Sequence, residues 1–438
     1  MTPRTAYAET TKFEETPTMA PEIAWAEAMK FENRPNPYRF FDELRKTPVV
    51  HVGNGIYVVT GYRELLALAH DPRISSDTRR LKARAANAGS DSEADPSLAA
   101  YGEHGNMIMS DPPEHDRQRR QAMRHFGPPH TTDLIPNTAP DIQHLCKQLF
   151  DKVKGKTRID IVDDYAYPVP VMVICKILGV PLEDEPQFHA WIHDFMAGIA
   201  DLGPEAATPE GKARAEQGKA STAALVQYLT DLIKGFLKEP SNAMLSKMVN
   251  EDGPDGKMTP REAVTNASLL LIAGHDSTVN TIAHCVLTVL RNPGSLERLR
   301  SRPELIPGAI EEVLRLESAV QFFPSRSATA DIEINGTVIP AGSPVHLMYG
   351  AANRDPKRFT DPNKFDPERR DNEHFGWGSG IHTCFGGPLA RLEVNLALET
   401  FIRRVENPRL VVDPPEYRRS NVFRGPRHLS IDFDRIRD

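Results

Sequence analysis

Residues 375–391 read Phe-Gly-Trp-Gly-Ser-Gly-Ile-His-Thr-Cys-Phe-Gly-Gly-Pro-Leu-Ala-Arg, a glycine-rich loop around one cysteine, Cys384. Proline is favoured at the first position of a helix, so Pro388 predicts that a helix begins just after the cysteine. Free backbone N–H groups and the positive end of a helix dipole lower the pKa of a thiol in that position. Glycines also let the backbone approach a flat ligand closely. The stretch is therefore typical of a thiolate that ligates a metal ion.

Three other roles for Cys384 fit the stretch less well. A zinc site or a redox pair needs a second cysteine or a histidine cluster at short spacing, and Cys146, Cys175 and Cys285 lie far away in the sequence. A nucleophilic cysteine needs a base, for which His382 is a candidate, but the glycines would then be unexplained. A structural thiol is the usual interpretation of an isolated cysteine, but the surrounding glycines would be costly.

The loop resembles the haem-binding loop of the cytochrome P-450 superfamily. The family pattern is an aromatic residue, two residues, Gly, one residue, His or Arg, one residue, Cys, one residue and Gly. Trp377, Gly380, His382, Cys384 and Gly386 occupy these positions. The family usually has Phe in place of Trp377, which is larger and adds an N–H donor. The resemblance implies that Cys384 ligates the iron of haem b.

Composition limits the class of protein. A chain of 438 residues with 39% hydrophobic residues can bury a large core. Its net charge of −7 argues against nucleic acid as the main partner. No apolar run approaches the roughly 18 residues of a membrane span, no apolar core of a signal peptide is present near the N-terminus, and four separated cysteines give no disulfide framework. We therefore expect a cytoplasmic protein that binds neither nucleic acid nor membrane.

The pattern along the chain predicts a mainly α-helical protein with small β-sheets. Residues 49–52 and 56–60 flank a Gly-Asn-Gly turn, and residues 332–339 contain an Asn-Gly pair, so both regions are predicted to be hairpins. No linker or repeat divides the chain. We expect a flexible segment at 1–22 and a single domain at 23–438, with surface excursions at about 79–106 and 201–221.

A long helix is predicted after Thr259. Thr259, Pro260 and Glu262 form a capping-box pattern, and nothing ends the helix before Asn292 and the proline that follows it. At 1.5 Å per residue the helix is on the order of 45 Å long. Its centre, residues 269–274, is apolar on nearly every side. The helix should therefore cross the interior.

This buried helix carries Ala-Gly-His-Asp-Ser-Thr at residues 273–278. Glycine costs roughly 1 kcal/mol inside a helix, and a buried acid needs a partner. Ser277 can donate to the carbonyl four residues earlier, Gly274 leaves room for a small ligand, and Asp276 beside a hydroxyl can carry protons. The structural alternative is a bent core helix with a satisfied acid.

The same segment is similar to the oxygen-activating helix of the cytochrome P-450 superfamily. Its motif is Ala or Gly, Gly, any residue, Asp or Glu, and Thr. Asp276 fills the acidic position and Ser277 the alcohol position, with Thr278 next to it. Serine makes the same hydrogen bonds without the methyl group that restricts χ1 of threonine. The resemblance implies that Gly274, Asp276, Ser277 and Thr278 take part in catalysis.

Further matches extend the resemblance from about residue 35 to the end of the chain. Glu312 and Arg315 fit the Glu-x-x-Arg pair of the family, and their spacing lets the side chains meet on one helix turn. Arg369 is the candidate for a third member of this structural group. His115, Arg119, Arg326 and His382 match positions that supply donors to the haem propionates. The implied cofactor-binding residues are His115, Arg119, Ala273, Arg326, Trp377, Gly378, His382, Cys384 and Gly386.

The family comparison also suggests an apolar substrate pocket. The implied lining residues are Leu270, Ala273, Val320, Gln321, Phe322, Val422 and Phe423. The alternative for each of them is simple core packing. The family builds its substrate lid where this chain has residues 79–106 and 188–227, which are polar and Ala-rich and say little about the substrate.

The resemblance implies a haem-thiolate monooxygenase, with an α-rich lobe and a small β-rich lobe around a buried haem. Hydroxylation of an apolar small molecule by dioxygen is the default reaction, and epoxidation or O-dealkylation are variants. Electrons should come from NAD(P)H through a ferredoxin or flavodoxin and its reductase, docking near Cys384 at the arginine cluster of residues 117–124. A peroxide-driven peroxygenase is disfavoured, because related enzymes replace the acid and alcohol by Arg-Pro. A non-catalytic haem sensor or carrier would need no proton relay.

Overall fold

The computed structural model describes residues 19–77, 105–128, 130–198, 208–323 and 326–438. The first helix begins at Pro21, so the predicted flexible segment at 1–22 lies mostly outside the described residues. Nearly all of the excursion at 79–106, and residues 201–207 of the second excursion, also lie outside them.

Helices make up most of the described chain. They are α1 (Pro21–Met29), α2 (Tyr38–Arg45), α3 (Tyr62–Ala69), α4 (Glu114–Met123), α5 (Leu134–Asp151), α6 (Pro168–Leu178), α7 (Glu185–Gly198), α8 (Pro209–Lys238), α9 (Met244–Asn250), α10 (Pro260–Arg291), α11 (Ser295–Ser301), α12 (Ile306–Glu317), α13 (Tyr349–Ala352) and α14 (Gly387–Arg404). Short 3₁₀ turns and one π-helical turn, Val162–Ala166, connect them. Within the described residues, no helix is both long enough and apolar enough to serve as a membrane span.

The strands are short. They are β1 (Val49–His51), β2 (Tyr57–Val59), β3 (Ile74–Ser75), β4 (Arg158–Asp160), β5 (Ser327–Ala328), β6 (Ile332–Ile334), β7 (Thr337–Ile339), β8 (Val345–Leu347), β9 (Val405–Glu406), β10 (Arg409–Leu410), β11 (Ser430–Asp432) and β12 (Arg435–Ile436). One sheet has the order β1-β2-β8, with an antiparallel and a parallel pair, and another has the order β10-β11-β4. The pairs β3-β5, β6-β7 and β9-β12 are antiparallel ribbons.

Both predicted hairpins are present. Val49 pairs with Val59 across the first, and Ile332 pairs with Ile339 across the second. Asn335 and Gly336 have φ of 49° and 75°, the positive values that a tight hairpin turn requires. The prediction of strands in only two places was wrong, since β3, β4, β5, β8 and the strands after residue 404 also form. Most of these pair with distant segments, and so short a strand leaves no periodic signal in the sequence.

Helix α10 lies at the centre of the α-rich lobe and is predicted correctly at both ends. The side chain of Thr259 accepts from the backbone of Glu262, whose carboxylate accepts in return from the backbone of Thr259. The 32 residues of α10 make it about 48 Å long. It packs against α6, α8, α12 and α14, and nearly every residue from Ala263 to Val289 is buried. The main apolar core is built around it.

Two smaller apolar clusters belong to the β-rich lobe. One joins α1 and α2 to residues 322, 348, 351 and 422. The other packs α3 against the β1-β2-β8 sheet and the β6-β7 ribbon. The two lobes meet along α12 and the segments on either side of α14, where the loop of residues 375–386 lies.

A buried ion group ties α12 to that junction. Glu312 accepts two hydrogen bonds from Arg315, both at 2.8 Å, and both side chains are 0% exposed. Arg369, the predicted third member, donates to the same carboxylate at 3.0 Å. Arg315 also donates to the carbonyls of Asn353 and Pro362, so the group holds the chain between α13 and the 375–386 loop against α12.

Replacing Glu312→Ala should destabilise the fold by about 3–5 kcal/mol, because Arg315 would remain as an uncompensated buried charge. Urea unfolding of the holoprotein measures this loss. The matched control is Glu297→Ala, which removes a surface partner of Arg300 whose side chain is 66% exposed and should leave the midpoint almost unchanged. Equal effects of the two substitutions would contradict the assigned role.

Candidate active site

A cavity of about 300 Å³ lies between the middle of α10 and the loop that precedes α14. On the otherwise buried α10, Leu269, Ala273, Gly274 and Ser277 retain exposed surface, and all four line the cavity. These residues lie at spacings of about one helix turn, so they form one face. The loop contributes Cys384 to the lining. The central helix and the glycine-rich loop therefore share one enclosed space.

Cys384 is the one exposed cysteine among the described residues, whereas Cys146, Cys175 and Cys285 are buried. Burial raises the pKa of the Cys175 thiol to about 12 and that of Cys146 to about 11, so these two remain protonated thiols at neutral pH. Of the four cysteines, only Cys384 lines the cavity.

The sulfur of Cys384 has the surroundings of a ligand. Backbone N–H groups of Gly386 and Gly387 bond to it, and Arg119 and Arg391 lie near enough to favour the thiolate. Burial is nevertheless the largest effect, and it raises the pKa of the Cys384 thiol. This corrects the sequence-based expectation of a lowered pKa, because the sulfur is exposed to the cavity but otherwise enclosed by protein, and this enclosure outweighs the helix terminus. A directly bound metal cation would stabilise the thiolate more strongly than the helix terminus does.

The glycines of the loop serve turns as well as approach to a ligand. Gly378 and Gly380 have φ of 69° and 71°, which other residues rarely adopt. A Cβ at Gly380 would lie 2.3 Å from the carbonyl oxygen of Ala69, so a side chain there would displace α3. A Cβ at Gly386 would meet nothing within 4 Å, and this residue lines the cavity. A flat ligand therefore has room above Gly386.

Trp377 is held by a partner that the sequence analysis missed. Its Nε1–H donates to Glu311 Oε2 at 2.9 Å, and Arg391 donates to Glu311 Oε1 at 2.7 Å. The guanidinium of Arg391 also lies 4.4 Å from the centre of the indole ring. The extra N–H of tryptophan is thus satisfied by a carboxylate from α12. Glu311 directly precedes the Glu-x-x-Arg pair in the sequence, and nothing about that position predicts a contact with Trp377.

The acidic and hydroxyl residues at the centre of α10 have different partners. Ser277 Oγ donates to the carbonyl of Ala273 at 2.9 Å, as predicted, and lines the cavity together with Thr278. Asp276 is buried behind this face, and its Oδ1 accepts from Arg418 at 3.1 Å. The buried acid has the partner that the sequence analysis required, but nothing in the sequence pointed to Arg418, which is distant in the chain.

Gly274 is explained by packing as well as by the cavity. A Cβ at this position would lie 3.2 Å from Cγ1 of Ile174 on α6. From the sequence, Gly274 was predicted only to leave room for a small ligand. Gly274 does line the cavity, so the close approach of α6 and the open face of α10 coincide at one residue.

Most of the predicted pocket residues line the cavity. Leu270, Ala273, Val320, Val422 and Phe423 all do so. Two predicted members, Gln321 and Phe322, do not. Gln321 donates to the Ser318 carbonyl at 2.6 Å, and Phe322 is fully buried against Trp25 and His346.

Phe323 takes their place in the lining. The prediction placed the inward-facing residue one position too early. Val320 and Phe323 both line the cavity although they are three positions apart, so this segment does not alternate as a regular strand would, and Gln321 and Phe322 both turn to packing contacts.

Four predicted anion-binding side chains gather at one end of the cavity. Arg119, Arg326 and His382 line it, and the ring of His115 lies 4.5 Å from that of His382. Arg119 donates to the Thr383 carbonyl at 2.7 Å, and His382 Nε2 lies 2.8 Å from Ser76 Oγ. Nε2 of His115 is buried without a protein partner. This end of the cavity suits carboxylate groups of a ligand.

The comparisons with known proteins agree with this geometry. A family model described as cytochrome P-450 matches residues 21–302 and 302–432. The biotin biosynthesis cytochrome P-450 of Bacillus subtilis is 34% identical over 403 residues, which cover 91% of this chain and 96% of the relative. The 6-deoxyerythronolide B hydroxylase of Saccharopolyspora erythraea is 33% identical over 410 residues, with coverage of 91% and 96%.

This chain belongs to the cytochrome P-450 family. The crystal structure of P450BioI in complex with an acyl carrier protein ligated to hexadec-9Z-enoic acid superposes with a TM-score of 0.81 at 34% identity, covering 92% of this chain and 100% of that one. The predicted fold class, a mainly α cytochrome P-450 fold with small sheets, is confirmed. The chain is a haem-binding oxidoreductase of the monooxygenase type.

The residues of this cytochrome P-450 fit a haem. Cys384 with its two backbone donors suits the iron ligand, the space above Gly386 suits the macrocycle, and the orphaned Nε2 of His115 with Arg119 and Arg326 suits the propionates. The predicted cofactor-binding residues therefore lie around one cavity, with His115 just behind His382.

Glu393 is a titratable residue of the cavity that was not predicted from the sequence. Glu393 on α14 lines the cavity although it is only 2% exposed, and burial raises its pKa to about 8. The raised pKa favours the protonated, uncharged form of this side chain at neutral pH. In the sequence it is one of many acids on helices.

The arginine cluster proposed as a docking face is largely neutralised. Arg117 is paired with Glu262, Arg120 is paired with Asp255 at 2.7 Å, and Arg119 turns to the cavity. These residues were predicted to form a basic surface. The pairing could not be foreseen, because the acidic partners lie far away in the sequence, in the turn before α10 and in its first turn. The cluster therefore gives little support to docking by charge alone.

The contacts of Glu311 make a pH-dependent contribution to stability. Burial alone would raise the pKa of Glu311, but hydrogen bonds from His374, Arg391 and Trp377 lower it to about 2, from an ordinary value of 4.5. A lowered folded-state pKa stabilises the fold fully above the unfolded-state pKa, and this stabilisation is lost as the pH falls from about 4.5 towards 2.

We expect Glu311→Gln to be less stable than the wild type at pH 6, with a difference that shrinks between pH 4.5 and pH 3. Urea unfolding at a series of pH values measures it. Glu304→Gln is a control at an exposed acid, whose side chain is 65% exposed. A difference that did not change with pH would contradict the lowered pKa of Glu311.

Proposed function

We propose that this monooxygenase inserts one atom of dioxygen into an apolar small molecule, with electrons from NAD(P)H delivered by separate redox proteins. Substrate and dioxygen, with two electrons and two protons, give the hydroxylated product and water. Hydroxylation is the default outcome, and epoxidation or O-dealkylation are variants. The observation that carries the proposal is the cavity shared by Cys384 and the Ala273–Ser277 face of α10.

The residues of the chain divide the work around this cavity. A haem with a thiolate ligand supplies the activation of dioxygen when it is bound. Ser277 presents its hydroxyl to the cavity, and Asp276 stands one residue earlier with its carboxylate turned to Arg418. We assign to this acid and alcohol the transfer of protons from the protein into the cavity. Thr278 lines the cavity beside them.

The lining of the cavity supports an apolar substrate. Away from the end that carries Arg119 and Arg326, most of it consists of aliphatic and aromatic side chains. They include Met107, Ile108, Ile174, Phe195, Met196, Leu269, Leu270, Val320, Phe323, Val422 and Phe423. Such a surface favours binding by the hydrophobic effect and excludes water from the reacting groups.

Two relatives indicate candidate substrate classes. One is named for hydroxylation of 6-deoxyerythronolide B, and one was solved with an acyl carrier protein that holds a hexadecenoic acid. We therefore propose a macrolide-like or fatty acyl compound as the first candidates. A panel of such compounds, titrated against the holoprotein and read as a shift of the haem spectrum, ranks them by affinity.

Replacing Cys384→Ala should abolish the far red-shifted Soret band of the reduced carbon monoxide complex, since no other described cysteine reaches the cavity. Spectra of purified haem-loaded protein measure it. Cys285→Ala is the matched control, because it removes a buried cysteine of α10 that does not line the cavity. Persistence of the band in Cys384→Ala would refute the ligand assignment and, with it, the proposed function.

A separate electron donor is the partner that we propose, and it need not bind through charge alone. Ile381 is 49% exposed in the turn just before Cys384, and an exposed isoleucine can supply apolar contact area to a docked protein. A ferredoxin or flavodoxin that docks here would lie close to the thiolate. The cytoplasmic location predicted from the sequence stays a prediction.

We expect Ile381→Glu to raise the KM for such a donor about tenfold without altering the affinity for substrate, because it places a charge in the contact area. Steady-state turnover with varied ferredoxin and a substrate titration give the two values. Val412→Glu is the control, since Val412 is 61% exposed and lies in the segment after β10. Equal KM values for Ile381→Glu and the wild type would exclude this face.

A further inference from the structure

Two histidines behind the cavity-lining face of α10 have buried ring nitrogens without hydrogen-bond partners. His275 precedes Asp276 on α10, is 3% exposed, and has both ring nitrogens buried and unpaired. His189 on α7 has its Nδ1 buried and unpaired. The centres of the two rings are 5.8 Å apart. A buried ring nitrogen without a hydrogen bond is unfavourable, so a water that bridged these nitrogens would be stabilised by them.

Tyr167, just before α6, completes this group. Its ring lies 4.5 Å from that of His189 and 4.9 Å from that of His275, edge to face in both cases. The hydroxyl of Tyr167 donates to Glu185, at the start of α7. Three elements, α7, α10 and the residue before α6, therefore bring a carboxylate, a phenol and two imidazoles together next to Asp276.

Burial increases in order along this group. Glu185 and His189 are partly exposed, His275 and Asp276 are buried, and Ser277 opens onto the cavity. A path from the protein surface to the cavity therefore runs through carboxylate, imidazole and hydroxyl side chains. The carboxylates and imidazoles can each accept and release a proton, and the hydroxyls can accept one proton while they donate another. The path crosses α10 at the acid and alcohol.

We infer that His189 and His275 form a proton-entry route, which carries protons from solvent at the start of α7 to Asp276. The inference rests on the proposed monooxygenase function, because that reaction consumes two protons in each turnover. A proton taken up at Glu185 or His189 passes through water to a ring nitrogen of His275 and then to the Asp276 carboxylate. Asp276 passes it to Ser277, and a proton from solvent replaces it at Glu185 or His189.

The charges around the two imidazoles favour the transfer of a proton over its retention on either ring. Burial lowers the pKa of His275 to about 4, with Asp276 favouring and His189 and Arg418 opposing its protonation. Burial also lowers the pKa of His189; Glu185 and Asp276 favour its protonated form, and His193 and Arg418 oppose it. Both rings are thus mainly neutral at pH 7, and a neutral ring can take a proton on one nitrogen as it releases one from the other.

A purely structural role would not require imidazole. Packing against Tyr167 needs only a ring, and a phenylalanine would avoid three buried nitrogens without partners. The chain also offers an internal comparison. His284 lies farther along α10, has both ring nitrogens buried and unpaired, and packs near Tyr417 away from Glu185. It shares the helix and the burial of His275 but not the route.

The test uses the haem-loaded protein and its redox partners, with His275→Phe, His189→Phe and the control His284→Phe. We expect the first two to lower NAD(P)H oxidation that is coupled to product at least tenfold, to release more hydrogen peroxide and to enlarge the solvent deuterium isotope effect. Substrate affinity should change less than twofold. His284→Phe should keep the coupling of the wild type. Because His189 is partly exposed, His189→Phe tests the route even where His275→Phe fails to fold.

A second measurement does not depend on turnover. In the reduced carbon monoxide complex, NMR of ¹⁵N-labelled histidine reports how fast the ring N–H of His275 exchanges with solvent. We expect His189→Phe to slow this exchange about tenfold, and His284→Phe to leave it unchanged.

Wild-type coupling in both His275→Phe and His189→Phe, or unchanged exchange in His189→Phe, would overturn the route while the monooxygenase assignment stands. Equal loss in His284→Phe would also overturn it, in favour of general core packing. A wild type that lacked the thiolate band and formed no product would instead remove the proposed function.

Discussion

The burial of α10 is the constraint on which the rest of the structure depends. A helix of 32 residues that is packed on nearly all sides leaves few positions where a ligand can reach its backbone. Ala273, Gly274 and Ser277 are the main such positions at its centre, and the glycine-rich loop faces the same space. The close contact of Gly274 with Ile174 fixes α6 against the helix at the same point. The chemistry of the site is therefore set by where the core is left open.

Buried charges follow from this architecture. Two buried carboxyl groups of the described chain contact arginines, Glu312 through Arg315 and Asp276 through Arg418. Glu393 faces the cavity without such a cation, and burial raises its pKa to about 8. The two carboxyl groups thus have different environments, since Asp276 contacts an arginine and Glu393 is buried against the cavity.

The sequence predicted those parts of the fold and site that have local signals. The capping box at Thr259, the Asn-Gly turn of the β6-β7 hairpin and the Glu-x-x-Arg pair all depend on residues within one or two turns of each other. Arg418 and Glu311 could not be predicted as partners, because their contacts join segments far apart in the chain. The short strands, and the lining of the cavity by Phe323 instead of Phe322, could not be predicted for a related reason. Packing against distant segments decides both.

The two departures from the family pattern have different physical standing. Tryptophan at 377 has partners for both of its added features, because Glu311 accepts its N–H and Arg391 lies over its ring. At Ser277 no contact replaces the methyl group of threonine, and its hydroxyl donates to the Ala273 carbonyl as that of a threonine would. The missing methyl group leaves χ1 freer to turn between that carbonyl and the cavity. A hydroxyl that exchanges its partner more readily is suited to passing a proton, so the neighbouring Asp276 gains importance as the group that fixes its direction.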